Sequence, residues 1–360
     1  ELDLKTGVAQ SVHTLSDGST ITQQVYASAV DDVIAVSITS ANNMSINLSM
    51  DGGIVQNGDI VKTAAADGIN ATRFVSRVRA LPADKVTAAG NTLEVRNARE
   101  ITVYLSVATD FDRQDSSAKL PDGWQNKAMQ DLDALAGKSA GQVKQDAMAD
   151  HQSYFERMEV DFGVTAEAIL NLPTPDRLQR IKNGMEDDPD LFETYFQFGR
   201  YLLIASSRPG TFPANLQGIW NPHLQPRWSS DFHLDVNLQM NYWLAETTNL
   251  AEMHQPVFDL LRYFQPKGKE MARRLGMQGW SMGHATDVWG NARSTSNRAL
   301  WGGSFFGGQW MVFDVLEHYR FNRDNQFLEN NWDILTDSAR FVKSWLIPGP
   351  QEGMLMARPA

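Results

Sequence analysis

The hydrophobic period of the chain changes once, near Asp115, and that change divides it into a sheet-forming part and a helix-forming part. Before it, β-branched and apolar residues alternate in short runs: Val33–Ser40, Ser45–Met50, Thr72–Leu81, Thr92–Arg96 and Ile101–Ala108. Ser11–Ser16 and Ser19–Ser28 flank Asp17-Gly18, the pattern of a hairpin closed by a tight turn. Asp51-Gly52-Gly53, Asp67-Gly68 and Ala89-Gly90 punctuate the rest. Many short strands separated by turn signals predict an antiparallel β-sandwich over residues 1–114. Glu1–Leu4 already reads as strand, so a start inside a domain is expected.

After the change, Lys127–Leu135 and Gly141–Met158 carry helical spacing with few β-branched residues, predicting a helical linker over 115–172. Leu172-Pro173-Thr174-Pro175-Asp176 marks its end, because each Pro turns its predecessor away from helix. Over 173–360, helices are predicted at Leu191–Ser206, Leu238–Thr247, Pro256–Leu275, Gln309–Phe321 and Trp332–Trp345. Between them run Arg208–Leu234 and Gly276–Gly308, rich in Gly, Asn, Trp and Pro. Loops of that length are uncommon unless they serve a function. Helices alternating with such loops suggest a helical toroid whose loops form a pocket at one rim.

Charge and composition narrow the chemistry. Lys+Arg is 32 against Asp+Glu 43, a net charge of -11, which argues against binding nucleic acid or an anionic membrane. With no Cys, disulfides, thiolate metal sites and cysteine nucleophiles are excluded. No apolar run approaches the roughly 18 residues of a spanning helix. Nine of the ten Trp (all but Trp124) and five of the seven His fall beyond position 218. Aromatic faces and imidazoles serve a sugar-binding cleft and a large core equally well, so the asymmetry indicates a place rather than a role.

Two segments in that half concentrate polar groups among aromatics. In Arg227–Trp243, polar residues fall at 231, 233, 235, 237, 239 and 241. An extended 231–237 puts Asp231, His233, Asp235 and Asn237 on one side of the backbone. An Asp accepting from the Asn237 amide NH2 leaves the amide oxygen free to accept from, and so orient, an attacking water. For Asp231 alone, capping of the following helix is the preferred reading; for Asp235 and Asn237 together, a site is preferred. The second segment, Gly279–Gly290, sets His284 and Asp287 between tryptophans. His233 and His284 lack the spacing of a metal pair, so no metal or cofactor is assigned. Gly307-Gly308 is read as close backbone packing rather than a phosphate loop, since no Gly-Lys-Ser/Thr follows. Glu317-His318-Tyr319 fits core and cleft alike.

Pro213–Asn221, Asn237-Leu238-Gln239-Met240-Asn241-Tyr242-Trp243, His284-Ala285-Thr286-Asp287-Val288-Trp289, Gly307–Trp310 and Glu317-His318-Tyr319 resemble glycoside hydrolase family 95, and Leu2–Gly7 and Val25–Ser28 resemble its N-terminal β domain. The resemblance implies an N-terminal antiparallel β-sandwich, a helical linker and an (α/α)6 barrel catalytic domain, the first and last incomplete. It implies an exo-acting inverting α-L-fucosidase, foremost on α-1,2 links, acting on glycans outside the cytoplasm. In such a family Asn237 activates the water, and Asp235 stands where the family carries a second Asn. His233, His284, Thr286, Asp287 and Trp301 are the implied sugar contacts. The family's general acid, in a Ser-Pro-Glu-Asn-like segment, and the Asp that polarises the Asn are expected beyond Ala360, so residues 1–360 alone are expected to be inactive. An α-L-galactosidase and a sugar-binding protein without hydrolysis are the alternatives.

Overall fold

The structure, a computed structural model, describes residues 1–68, 71–115, 118–185, 187–292 and 304–357. The chain divides into two compact units, Glu1–Glu156 and Arg157–Ala360.

The first unit is an antiparallel sheet carrying two helices. Its strands are β1 (Leu2–Asp3), β2 (Val8–Thr14), β3 (Thr20–Ser28), β4 (Val33–Leu48), β5 (Ile54–Gln56), β6 (Asp59–Ala65), β7 (Arg73–Leu81), β8 (Val86–Ala89) and β9 (Thr92–Thr109). They pair in the order β1-β2-β3-β4-β9-β7-β6-β5, with β8 also on β9. Asp17-Gly18 does turn the β2–β3 hairpin: Gly18 takes φ +81°, and the Asp17 carboxylate accepts from Ser19 N at 2.9 Å. Sequence reading separates Val33–Ser40 from Ser45–Met50, and Thr92–Arg96 from Ile101–Ala108. In the fold each pair is one long strand. The polar residues between them are absorbed as register shifts between Thr39 and Ile46, with Asn97 in the left-handed region at φ 57°.

Helices α1 (Asn126–Ala134) and α2 (Ala140–Phe155) lie on this sheet. Leu132, Leu135, Val143 and Ala147 join Val8, Tyr26, Val33, Ala35 and Tyr104 in one buried cluster. Trp124 closes a second cluster with Val61, Val75, Ala108 and Ala128. The buried Asp59 carboxylate is met by Arg77 at 2.9 Å and Arg79 at 2.8 Å, so that charge is not left alone.

The second unit is helical: α3 (Glu167–Leu170), α4 (Thr174–Lys182), α5 (Pro189–Ser206), α6 (Asn237–Thr247), α7 (Gln255–Arg274), α8 (Gly307–Asn322), α9 (Asn325–Asn330) and α10 (Trp332–Trp345). The long helices begin and end within two residues of their predicted bounds. α6 packs on α5 and α8, and α7 on α8 and α10. Buried apolar side chains recur at helical spacing along them: Leu238, Tyr242 and Ala245 on α6, and Val257, Leu260, Leu261 and Phe264 on α7. Among the described residues no helix is long and apolar enough to cross a membrane.

Candidate active site

Two segments far apart in sequence meet in a short antiparallel ladder formed by β10 (Phe232–His233) and β11 (Ala285–Thr286). Phe232 stands opposite Thr286 and His233 opposite Ala285. Leu234 N donates to His284 O at 2.7 Å and extends the pairing by one residue. The ladder brings the segments carrying His233, His284, Thr286 and Asp287 together, but its register sets Thr286 on the side of Phe232 and His233 on the side of Ala285; Asp235 and Asn237 follow in the turn and helix beyond its end. Trp301 lies outside the described residues.

The extended run expected over 231–237 stops at His233. Residues 234–236 form a turn, and Asn237 is the first residue of α6. The reason is burial: from Leu238 the apolar side chains follow the helical spacing Leu238, Tyr242, Ala245, and that stripe overrides the alternation before it. Asp235 and Asn237 are exposed, and neither side chain is hydrogen-bonded among the described residues. The capping role preferred for Asp231 is also overturned. Val236 occupies the cap of α6 and supplies no side-chain hydrogen bond. Asp231 instead places Oδ1 2.8 Å from His233 Nε2, because residues two apart on a strand share a side. Burial raises the Asp231 carboxyl above its ordinary value; His233 opposes this, and the nearby Asp287 charge adds to it.

Asp287 shapes its own loop. Its Oδ1 accepts from Trp289 N at 3.0 Å and Asn291 N at 3.2 Å, and its Oδ2 from Asn291 Nδ2 at 2.6 Å. Thr286 is only 2% exposed, and its hydroxyl has no partner among the described residues. Gly307 and Gly308 pack as read: a Cβ at 307 would run into the Gly283 carbonyl and Leu234, and one at 308 into the Trp280 ring. The second-half tryptophans divide. Trp280 and Trp345 are core, whereas Trp220, Trp228, Trp243, Trp289, Trp310 and Trp332 are exposed.

The Pro213–Asn221 segment is tied to the ladder and to α6. Asn215 Oδ1 accepts from Ser230 Oγ at 3.0 Å, Asn215 O from Asn241 Nδ2 at 3.1 Å, and Leu216 N donates to Asp231 O at 3.1 Å. Ala214 N donates to the buried Tyr242 hydroxyl at 2.7 Å. These bonds bracket a strained turn in which Trp228, Ser229 and Ser230 all take positive φ, 49°, 60° and 51°. Such residues cost about 1–3 kcal/mol each and persist where the surroundings over-determine them, most often at functional sites.

Sequence reading missed one cluster. Glu246 near the end of α6 accepts from His254 Nδ1 at 2.9 Å and His318 Nδ1 at 2.6 Å, both at Oε1. Asp314 Oδ1 lies 3.6 Å from His254 Nε2. Burial pushes the Glu246 carboxyl up, but the two imidazoles outweigh it and hold it at about 2. Burial likewise lowers His254, yet Asp314 and Glu246 leave it raised. The ligand atoms of Glu246, His254 and His318 lie within 4.8 Å of one another, so these are the residues that would hold a metal ion. Both imidazoles already hydrogen-bond to this one oxygen, and we assign the cluster as a hydrogen-bonded one. Asp314 and His318 stand four apart on α8, but Glu246 and His254 lie some sixty residues earlier, so no single motif announces the four.

A β domain followed by helices whose loops carry carboxylates, imidazoles and exposed tryptophans is the build of a carbohydrate-active enzyme. Residues 139–360 match the glycosyl hydrolase family 95 catalytic domain, and residues 1–114 match the glycosyl hydrolase family 65 N-terminal domain. The chain belongs to glycoside hydrolase family 95. It is 35% identical over 216 residues to alpha-L-fucosidase 2 of Arabidopsis thaliana, a match that takes in 59% of this chain and 26% of the relative. It is 27% identical over 272 residues to the probable alpha-fucosidase A of Aspergillus niger, covering 72% of this chain and 34% of the relative. The chain thus spans about a quarter to about a third of the length of these relatives. A putative kojibiose phosphorylase from the human microbiome shares the fold, with a TM-score of 0.64 at 14% identity over 96% of this chain and 45% of that one.

Proposed function

We propose that this chain belongs to an exo-acting, inverting α-L-fucosidase that releases terminal fucose from glycans, α-1,2 links first. The observation that carries this reading is the position of Asn237: exposed, without a side-chain partner among the described residues, and at the start of a helix whose preceding turn is tied to the His284 backbone. An amide oxygen held there accepts a hydrogen bond from water and turns a lone pair of that water towards the anomeric carbon. A carboxylate hydrogen-bonded to the amide NH2 makes that oxygen a better acceptor. Asp235 is the nearby carboxylate on the same turn. Inversion needs a general acid across a gap of about 6.5–9.5 Å, wide enough for the water; no Ser-Pro-Glu-Asn-like segment stands within residues 1–360. Exposed Trp220, Trp228, Trp243 and Trp289 supply faces of the kind on which sugar C–H bonds stack.

The test uses the full-length protein with paired 4-nitrophenyl α-L-fucoside and α-L-galactoside, and NMR of the first sugar anomer released. The expected outcome is fucoside preference, release of the β-anomer, and loss of about 100-fold or more in kcat for Asn237→Ala at unchanged melting temperature. Unimpaired turnover by Asn237→Ala removes the role. Preference for the galactoside reassigns the sugar. Fucose binding without turnover by the wild-type protein favours a non-hydrolytic sugar-binding protein, a reading to which Asp235 in the place of the family Asn lends weight.

A further inference from the structure

The proposed role of Asn237 depends on a turn, and the sequence of that turn contains nothing that would hold it. Val236 at the cap of α6 brings no side-chain hydrogen bond, and Asp235 and Asn237 point to solvent. What fixes the turn lies on both sides of Leu234. Its N–H donates across the ladder to His284 O at 2.7 Å. Its carbonyl, outside the helical hydrogen bonds of α6, accepts from Gln239 Nε2 at 2.8 Å. Gln239 therefore reaches back from the first turn of the helix and closes a ring over residues 234–239 that contains both Asp235 and Asn237. This is the reverse of a capping box, where the side chain at the third helical position accepts from the cap N–H. Here it donates to a carbonyl two residues before the cap.

Stability does not account for an amide at this position. Gln239 is 2% exposed, and its Oε1 has no partner among the described residues. It stands between buried Leu238 and Tyr242 in sequence; a methionine of similar length would remove the unpaired Oε1 but leave the buried Leu234 carbonyl without its donor, so one unpaired acceptor replaces another and the amide brings no net gain of that kind. A buried polar group kept at such a place needs a reason other than packing. We propose that Gln239 is a positioning residue: it locks the Leu234–Asn237 turn to the His284–Thr286 strand, and so fixes where the Asn237 amide oxygen presents its water. The inference rests on the fucosidase reading of Asn237.

The test again uses the full-length enzyme and 4-nitrophenyl α-L-fucoside. A group displaced by about 1 Å from its reacting partner loses on the order of 100-fold in rate. Gln239→Met is expected to lower kcat by at least about tenfold, with KM within about threefold and the melting temperature little changed, since the lost bond to Leu234 O is offset by removal of the unpaired Oε1. In an Asn237→Ala background the same substitution is expected to be silent, because what it positions is gone. Gln239→Glu keeps the shape and carries the test if the methionine variant does not fold. Its carboxylate cannot donate to Leu234 O but its protonated form can, so its deficit relative to wild type is expected to shrink as pH falls. Wild-type kcat in Gln239→Met, an equal loss in the presence and absence of Asn237, or a pH-independent deficit in Gln239→Glu overturns the inference. Unimpaired Asn237→Ala instead overturns the reading beneath it, so the two failures are told apart.

Discussion

Thr286 shows what a single buried side chain does at this site. It sits on β11 opposite Phe232, is 2% exposed, and carries a hydroxyl without a partner among the described residues. Such a hydroxyl costs on the order of 1–3 kcal/mol, and valine removes it while keeping the branched shape that strands favour. Thr286→Val is therefore expected to raise stability by about 1 kcal/mol, measured by urea denaturation of the chain. If the hydroxyl is kept for the sugar, the same variant of the full-length enzyme loses about tenfold in kcat/KM, the usual exchange of stability for function. Full activity in a more stable Thr286→Val would strike Thr286 from the sugar contacts. At this scale the sequence was legible only in part. It drew attention to His233, His284, Thr286 and Asp287, and the ladder joins their two segments, with His233 and Thr286 on opposite sides of it. It misread Asp231, because a cap and a partner for an imidazole call for the same residue type. Only the backbone conformation at 232–233 decides between them.

Among the elements, α6 is held at both ends by groups of different legibility. Its apolar stripe made the helix itself easy to read, and its start at Asn237 falls one residue from the predicted bound. The anchor at its far end was invisible, because Glu246, His254, Asp314 and His318 come together only when α6, α7 and α8 pack. A carboxylate at a helix C-terminus is unfavourable against the macrodipole, and the two imidazoles on Glu246 Oε1 offset this. The consequence is a stability optimum set by pH. Glu246 is held at about 2, below its ordinary 4.5, so its contribution is present above about pH 4.5 and is lost as pH falls towards 2. The loss is on the order of 3 kcal/mol. His254 is raised, so its contribution is complete below about pH 6.5 and is lost as pH climbs through its folded value. The chain is expected to be most stable between about pH 4.5 and 6.5 as far as this cluster decides it. Melting temperatures of wild type and Glu246→Gln, taken from pH 3 to 8, check this. The variant should melt lower at pH 6 and fall less steeply towards pH 3; parallel curves would mean that the cluster carries no such linkage.

For the chain as a whole, the change of period near Asp115 was enough to foresee a β domain followed by helices, because each half repeats its pattern many times and local errors average out. The long strands β4 and β9 were broken in two on paper, since polar residues absorbed by a register shift look like a turn. Net charge is a property of the same scale and carries its own consequence. At -11, residues 1–360 bias the potential around them towards negative, which acts on charged ligands and leaves neutral ones alone. If the full-length protein is the fucosidase proposed above, a neutral fucoside is expected to be turned over with kcat/KM unchanged, within about twofold, between low salt and about 0.5 M NaCl. A sulfated glycan bearing the same terminal sugar should instead react slowly at low salt and gain as the Debye length shrinks from about 30 Å towards a few ångströms. Steady-state assays across that range separate the two. If the neutral substrate showed a steep salt dependence, an ionised group would have to meet the sugar directly, and the carboxylate at Asp235 would be the first to replace by Asn.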